Sequence, residues 1–231
     1  MHKIADKLMQ VEARLQQASQ LAHRQRDSIA LLAVSKTQPA ASLQAAFDAG
    51  QRDFGENYLQ EALDKKQQLA ALPICWHFIG PIQSNKTRPI AEQFDWVHSV
   101  DRLKVAQRLS AQRPESLNPL NICLQVNIDD EASKSGIAPA ELSALAQQVL
   151  ALPRVTLRGL MVIPKASSDP AQQRAAFAKT RQLRDQLSQT LAIELDTLSM
   201  GMSGDLEAAI AEGATIVRVG TDIFGARKAH N

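Results

Sequence analysis

The sequence predicts a closed barrel of eight parallel strands, each followed by a helix. Short apolar or β-branched runs alternate with helical stretches along the whole chain, the pattern of parallel strands joined by crossover helices. There are eight such units, and 231 residues is near the usual size of this barrel. The competing architecture is an open doubly wound sheet, but the Gly-rich dinucleotide turn expected after its first strand is absent.

An amphipathic helix leads. Ile4, Leu8, Val11, Leu15 and Ala18 recur at helical spacing, and Leu21 completes the stripe. The runs then follow in order. SIALLAVS leads to ASLQAAFDAG, RDFGEN to YLQEALDKKQQLAAL, ICWHFIG to SNKTRPIAEQ, and FDWVHSV to DRLKVAQRLSAQ. NICLQVNI leads to APAELSALAQQVLAL, VTLRGLMVI to PAQQRAAFAKTRQLRDQLSQ, and DTLSMGMS to GDLEAAIAEG, and TIVRVGTDIFGA closes the series. Gly50, Pro73, Pro153 and Gly213 punctuate the returns from helix to strand. The expected organisation is a single domain over residues 1–231, with a leading helix at 1–22 and the barrel at 28–225.

Composition narrows the function. With 26 basic and 24 acidic residues the net charge is +2, so no field of one sign draws nucleic acid or a membrane surface. Aromatics at 4% also argue against stacking platforms for single strands. Cys75 and Cys123 each lie inside an apolar run and read as small core residues, neither a disulfide nor a metal site. The N-terminus carries Asp6 and Glu12 and lacks the apolar core of a signal peptide, and no stretch is long enough to span a bilayer. A cytoplasmic location is expected.

Barrels of this kind place their chemistry where strands end. Here the ends offer Lys36 after the first strand and Glu56-Asn57 after the second. The third, fifth and sixth end at Gly80, Asn127 and Met161. SMGMSG, with Met200, Ser203 and Gly204, ends the seventh, and Arg218-Val219-Gly220-Thr221 ends the eighth. The loops after the seventh and eighth strands are the usual phosphate site. Ser203 is placed to cap the next helix, Gly204 lets an anion approach backbone N–H groups, and Gly220-Thr221 adds a second small pair. Asp205 would repel a dianion unless it points away.

Lys36 sits half in the core and half in water. A lysine in such a place has a lowered pKa and can form a Schiff base, although a strand-end lysine can equally just snorkel. Opposite a phosphate site, the ligand that fits carries an aldehyde at one end and a phosphate at the other, and pyridoxal phosphate fits that description. Arg218 could donate to its pyridine nitrogen and keep it unprotonated, or instead pair with Asp222 or Asp196.

AVSKTQP, FGENYLQE, WHFIGPIQSNK, GLMVIP, LSMGMSGDLEAAI and RVGTDIFGAR together resemble the signature segments of the pyridoxal phosphate homeostasis proteins, the YggS or PROSC family. The resemblance spans nearly the whole chain. It implies a barrel like the N-terminal domain of alanine racemase, of fold type III, without the C-terminal β domain. It also implies pyridoxal 5'-phosphate on Lys36, Arg218 facing the pyridine nitrogen, Asn57 near the ring's edge, and Ser203, Gly220 and Thr221 on the phosphate. The implied role is carrier, buffer or regulator of the cofactor inside the cell. Apo pyridoxal phosphate enzymes are its implied partners, and without the β domain a monomer is expected.

The alternative is an amino-acid racemase or another pyridoxal phosphate enzyme. A racemase needs a second base. Tyr58 is the only tyrosine and reads as a locally packed or hydrogen-bonded residue, and His77, inside WHFIG, as a satisfied core histidine. Neither is expected to be catalytic. Lys134, in DDEASKSG, is a candidate secondary cofactor lysine that could take the cofactor by transimination; the plain reading is a solvated charge.

Overall fold

In a computed structural model, residues 2–129 and 135–225 are described. Helix α1 (His2–Leu21) buries Leu8, Val11, Leu15 and Ala18. Leu21 does not complete the stripe: it is 75% exposed, because Ala22, four residues after Ala18, takes the inward position instead.

The strands are β1 (Ala30–Val34), β2 (Asp53–Glu56), β3 (Cys75–Phe78), β4 (Trp96–Val100), β5 (Leu120–Gln125), β6 (Val155–Met161), β7 (Thr197–Ser199) and β8 (Ile216–Val219). The helices between them are α2 (Ala40–Asp48), α3 (Leu59–Gln68), α4 (Thr87–Gln93), α5 (Leu103–Gln112), α6 (Leu142–Leu150), α7 (Pro170–Leu191) and α8 (Leu206–Ala211). A short α9 (Thr221–Phe224) follows β8.

Each strand pairs in parallel with the next, and β8 pairs with β1, so the sheet closes in sequence order. Leu32 is level with Arg218 and Ala33 with Val219 across that closure. The expected strand ends at Gly80 and Asn127 fall at Phe78 and Gln125. Pairing runs slightly beyond each: the Ile79 N–H still reaches Glu56 O at 2.9 Å and the Val126 N–H reaches Met161 O at 2.9 Å.

Alternation along the strands divides the core. One set of residues meets the helices in a large apolar layer that includes Phe54, Phe78, Val97, Ile122, Leu198 and Val217. The other fills the lumen, where Leu32, Ile79 and Ile216 cluster with Val34 and Trp96. The lumen also takes polar groups: His77, His98, Ser199 and Arg218 are all buried. Cys123 is a buried core thiol as expected, but Cys75 is only half-buried, because it opens β3 at the mouth formed by the strands' N-terminal ends.

Gly159 is required by close approach. A Cβ there would lie 1.8 Å from Thr197 O on the neighbouring strand, next to a register shift between β5 and β6. Gly159→Ala therefore forces β6 and β7 apart. The expected cost is about 1–3 kcal/mol or more, read as a lowered urea midpoint.

Candidate functional site

The site is built at the strands' C-terminal ends. Ser35 and Lys36 follow β1. Ser35 is buried, its N–H continues the pairing to Gly55 O at 3.0 Å, and its hydroxyl donates to Glu56 Oε1 at 2.6 Å. Lys36 is half-buried, at the place the sequence predicted. Thr37 then takes a left-handed φ of 64°, uncommon for a β-branched residue and a local strain. Its N–H donates to Glu61 Oε1 at 2.5 Å, so a carboxylate from α3 holds the strained turn.

A second lysine lies beneath. Lys65 Nζ is buried and donates to Glu56 Oε1 (2.7 Å), Glu61 Oε1 (2.5 Å) and Ser35 O (2.7 Å). Burial raises the Glu56 pKa, against the pull of Lys65 and Ser35. Sequence reading passed over Glu56, Glu61 and Lys65 as site residues. The available signal was the i,i+4 spacing of Glu61 and Lys65 on one helix, directly after a strand ending in glutamate.

Arg218 is buried with 4% of its surface exposed. Nη1 donates to Ser199 O (2.6 Å) and Ser199 Oγ (2.9 Å), and Nη2 to Val162 O (2.8 Å). Neither alternative ion pair forms: Asp222 pairs with Arg14 at 2.6 Å and Asp196 with Arg158 at 2.5 Å. Burial lowers the Arg218 pKa to about 10, which still leaves it charged at neutral pH. Its Nε has no hydrogen-bond partner among the described residues and is not sealed from the mouth. Asn57 Oδ1 is buried without a hydrogen-bond partner among the described residues.

The phosphate loops depart from expectation in one respect. Ser203 does not cap α8, which starts at Leu206 with Asp205 in the cap position. The loop needs one more turn before its backbone becomes helical, and Ser203 lies half-buried within that turn. Asp205 turns back on the loop, its Oδ1 accepting from Met202 N–H at 2.6 Å, and burial raises its pKa. A Cβ on Gly204 would meet open space, whereas one on Gly220 would press on Val34 O at 3.0 Å. Thr221 is exposed at the start of α9. Met200 is fully enclosed in the main apolar cluster, so its side chain packs the core and does not line the mouth, because along β7 Ser199 takes the inward position.

Arg14, also missed from sequence, braces these loops from α1. It donates to Ser203 O (3.1 Å) and pairs with Glu207 and Asp222. Tyr58 precedes α3 and is 55% exposed, so it does not pack as expected. His77 is buried in β3 with both ring nitrogens engaged, as expected of a core histidine. Lys134 lies outside the described residues. One Asp53–Cys75–His77 group is close enough to share an ion, but it lies at the opposite mouth, and its contacts are accounted for as hydrogen bonds.

A lysine after the first strand, a partly engaged arginine on the eighth and small residues in the last two loops thus stand at one end of the barrel, the end where such barrels place their chemistry. Residues 7–228 match the model of the alanine racemase N-terminal domain, and the chain belongs to that family. It is 63% identical over 227 residues to the pyridoxal phosphate homeostasis protein of Pseudomonas aeruginosa, covering 98% of this chain and 97% of that one. It is 52% identical to the Escherichia coli protein of the same name over 232 residues, covering 98% of each. The structure of PipY from Synechococcus elongatus with PLP bound superposes with a TM-score of 0.84 at 42% identity, covering 96% of this chain and all of that one. Alanine racemase from Corynebacterium glutamicum, at 15% identity, shares the fold with a TM-score of 0.73, and this chain covers 61% of it.

Lys65→Met removes the cation from a buried carboxylate. It is expected to cost about 3–5 kcal/mol of unfolding free energy. Lys65→Met with Glu56→Gln should recover part of that loss in the same denaturation experiment, because no buried charge is then left unpaired.

Proposed function

We propose that this protein binds pyridoxal 5'-phosphate on Lys36 and acts in pyridoxal phosphate homeostasis, as a carrier or buffer of the cofactor. The observation that carries the reading is the set of unspent polar atoms around one mouth. Arg218 Nε and Asn57 Oδ1 have no hydrogen-bond partner among the described residues, and Gly204 leaves its loop bare. When bound, the cofactor supplies an aldehyde that condenses with amines and a ring that withdraws electrons.

Lys36 would hold the aldehyde end through its amine. Arg218 would face the ring nitrogen and, because an arginine keeps its own proton, would favour the unprotonated nitrogen, a setting that suits holding the cofactor more than turnover. Asn57 orients the ring's edge. Ser203, Gly204, Gly220 and Thr221 receive the phosphate, and Asp205 stays folded back on Met202 N–H, away from the anion.

The carrier reading over the racemase reading is supported by the absence of a placed second base among the described residues. Tyr58 is largely in solvent, and His77 is committed to partners inside the lumen. Both relatives above carry the name of homeostasis proteins. We extend the reading to a cytoplasmic monomer, a single domain over residues 1–231, that passes the cofactor to apo pyridoxal phosphate enzymes.

An absorbance band at roughly 420 nm, where protonated lysine–cofactor adducts absorb, is expected on adding pyridoxal phosphate. Lys36→Ala is expected to abolish it, along with the labelled Lys36 peptide after borohydride reduction. A wild-type spectrum in that variant rejects the assignment. Arg218→Glu is expected to leave Lys36 labelling in place and shift the band, because a carboxylate favours a protonated ring nitrogen. An unchanged spectrum would remove Arg218 from the ring.

A further inference from the structure

Arg218 is the first member of a hydrogen-bonded column that crosses the barrel lumen. Arg218 Nη1 meets Ser199 Oγ at 2.9 Å, Ser199 Oγ meets His98 Nδ1 at 2.7 Å, and His98 Nε2 meets His77 Nδ1 at 2.9 Å. His77 Nε2 meets Asp53 Oδ1 at 3.1 Å. Asp53 begins β2, and its side chain is 37% exposed at the opposite mouth. Four contacts among residues of five strands therefore link the Arg218 end of the barrel to solvent at its other end.

Each contact holds one proton; with the Cys75 thiol, whose Sγ lies 3.3 Å from His77 Nε2, donating to Asp53, one arrangement satisfies all four. The guanidinium can only donate, so Ser199 Oγ accepts from it. The serine hydroxyl proton then has one partner, His98 Nδ1, which must accept. His98 accordingly carries its proton on Nε2 and donates to His77 Nδ1. His77 in turn carries its proton on Nε2 and donates to the Asp53 carboxylate, which can only accept. The donors all point from Arg218 towards Asp53. Burial, with His77 and Arg218 nearby, holds the His98 pKa well below the ordinary value, so His98 is neutral, as the arrangement requires. A proton on both His77 nitrogens would reverse the direction: His98 would donate to Ser199 Oγ, and the serine proton would have no acceptor. The stacking of His77 on Trp96, with ring planes 6° apart and centroids 5.6 Å apart, fixes the imidazole that makes the turn towards Asp53.

We propose that His98, with His77 behind it, is a positioning residue for Arg218: a one-way relay anchored on Asp53 keeps a lone pair of Ser199 turned to the guanidinium and so sets where its free Nε–H points. The ligand consequence rests on pyridoxal phosphate occupying the Lys36 mouth; the direction of the relay does not. Without His98, Ser199 can rotate its hydroxyl towards the arginine, and one of the three anchoring hydrogen bonds is lost.

Two measurements test this separately. Long-range proton–nitrogen NMR on histidine-labelled, cofactor-free protein should show His77 and His98 both neutral with the proton on Nε2. Asp53→Leu should let a second tautomer appear at both. A proton on His98 Nδ1 in the wild type, or tautomers indifferent to Asp53→Leu, overturns the relay. In the holoprotein, His98→Leu should weaken pyridoxal phosphate binding about ten- to a hundredfold, the worth of one hydrogen bond to a charged group, and shift the ring absorbance. His98→Gln can accept from Ser199 and donate to His77, so it should restore both. Wild-type affinity and spectrum in His98→Leu overturn the positioning role. If His98→Leu does not fold, His98→Gln still decides: it must keep wild-type affinity and spectrum while Asp53→Leu weakens binding, and the reverse order overturns the proposal. If the wild type itself takes up no cofactor at Lys36, the functional reading fails while the tautomers still decide the relay.

Discussion

A guanidinium enclosed in the middle of a barrel sets the terms for this structure. Burying a charge costs several kcal/mol unless hydrogen bonds replace its water. Arg218 meets the cost without a carboxylate in contact, using a backbone carbonyl from each of two segments and one hydroxyl. Neutral acceptors satisfy the N–H groups but do not cancel the charge, so the arginine remains electropositive towards the mouth. Had Asp196 or Asp222 reached it, the side chain would have been a structural ion pair. Both are held elsewhere, by Arg158 and Arg14.

The opposite solution operates a few residues away. Glu56 and Glu61 are collected by Lys65, which is buried for that purpose. Lys65 thereby satisfies both carboxylates beneath the turn that carries Lys36. Glu61 also accepts from Thr37 and so holds the strained turn that presents Lys36. Two buried charges near the mouth are thus satisfied by different devices, neutral acceptors for Arg218 and a pair of carboxylates for Lys65.

The fold was legible because its signals are local. Eight apolar runs alternate with helical stretches, four of the returns are marked by Gly or Pro, and the third and fifth strand ends were read to within two residues. The strand ends that carry Lys36, Arg218 and Gly204 were legible as well, while the roles of these residues rest on the proposal above. The site was not legible where a residue acts across the barrel. Nothing in HSV or in TLS says that His98 and Ser199 touch, since they lie 101 residues apart and meet only because β4 and β7 face each other through the lumen. Arg14 is hidden for the same reason, as its partners come from the far end of the chain. Met200 misled because the segment SMGMSG gives no phase: a one-residue shift decides which side chain looks inward.

The ring is closed by pairing the first strand with the last, and the proposed ligand mouth straddles that seam, with Lys36 on one side and Arg218 and Gly220 on the other. A growing chain exposes its lysine long before the arginine and the anion loops have been synthesised. Until the final strand docks, that lysine is an ordinary surface amine in an incomplete sheet. With the cofactor bound there as proposed, its capture would be coupled to the completion of translation. Truncated chains released early from the ribosome would compete poorly for the free aldehyde, and occupancy of the mouth would serve as a proofreading mark of an intact, closed ring.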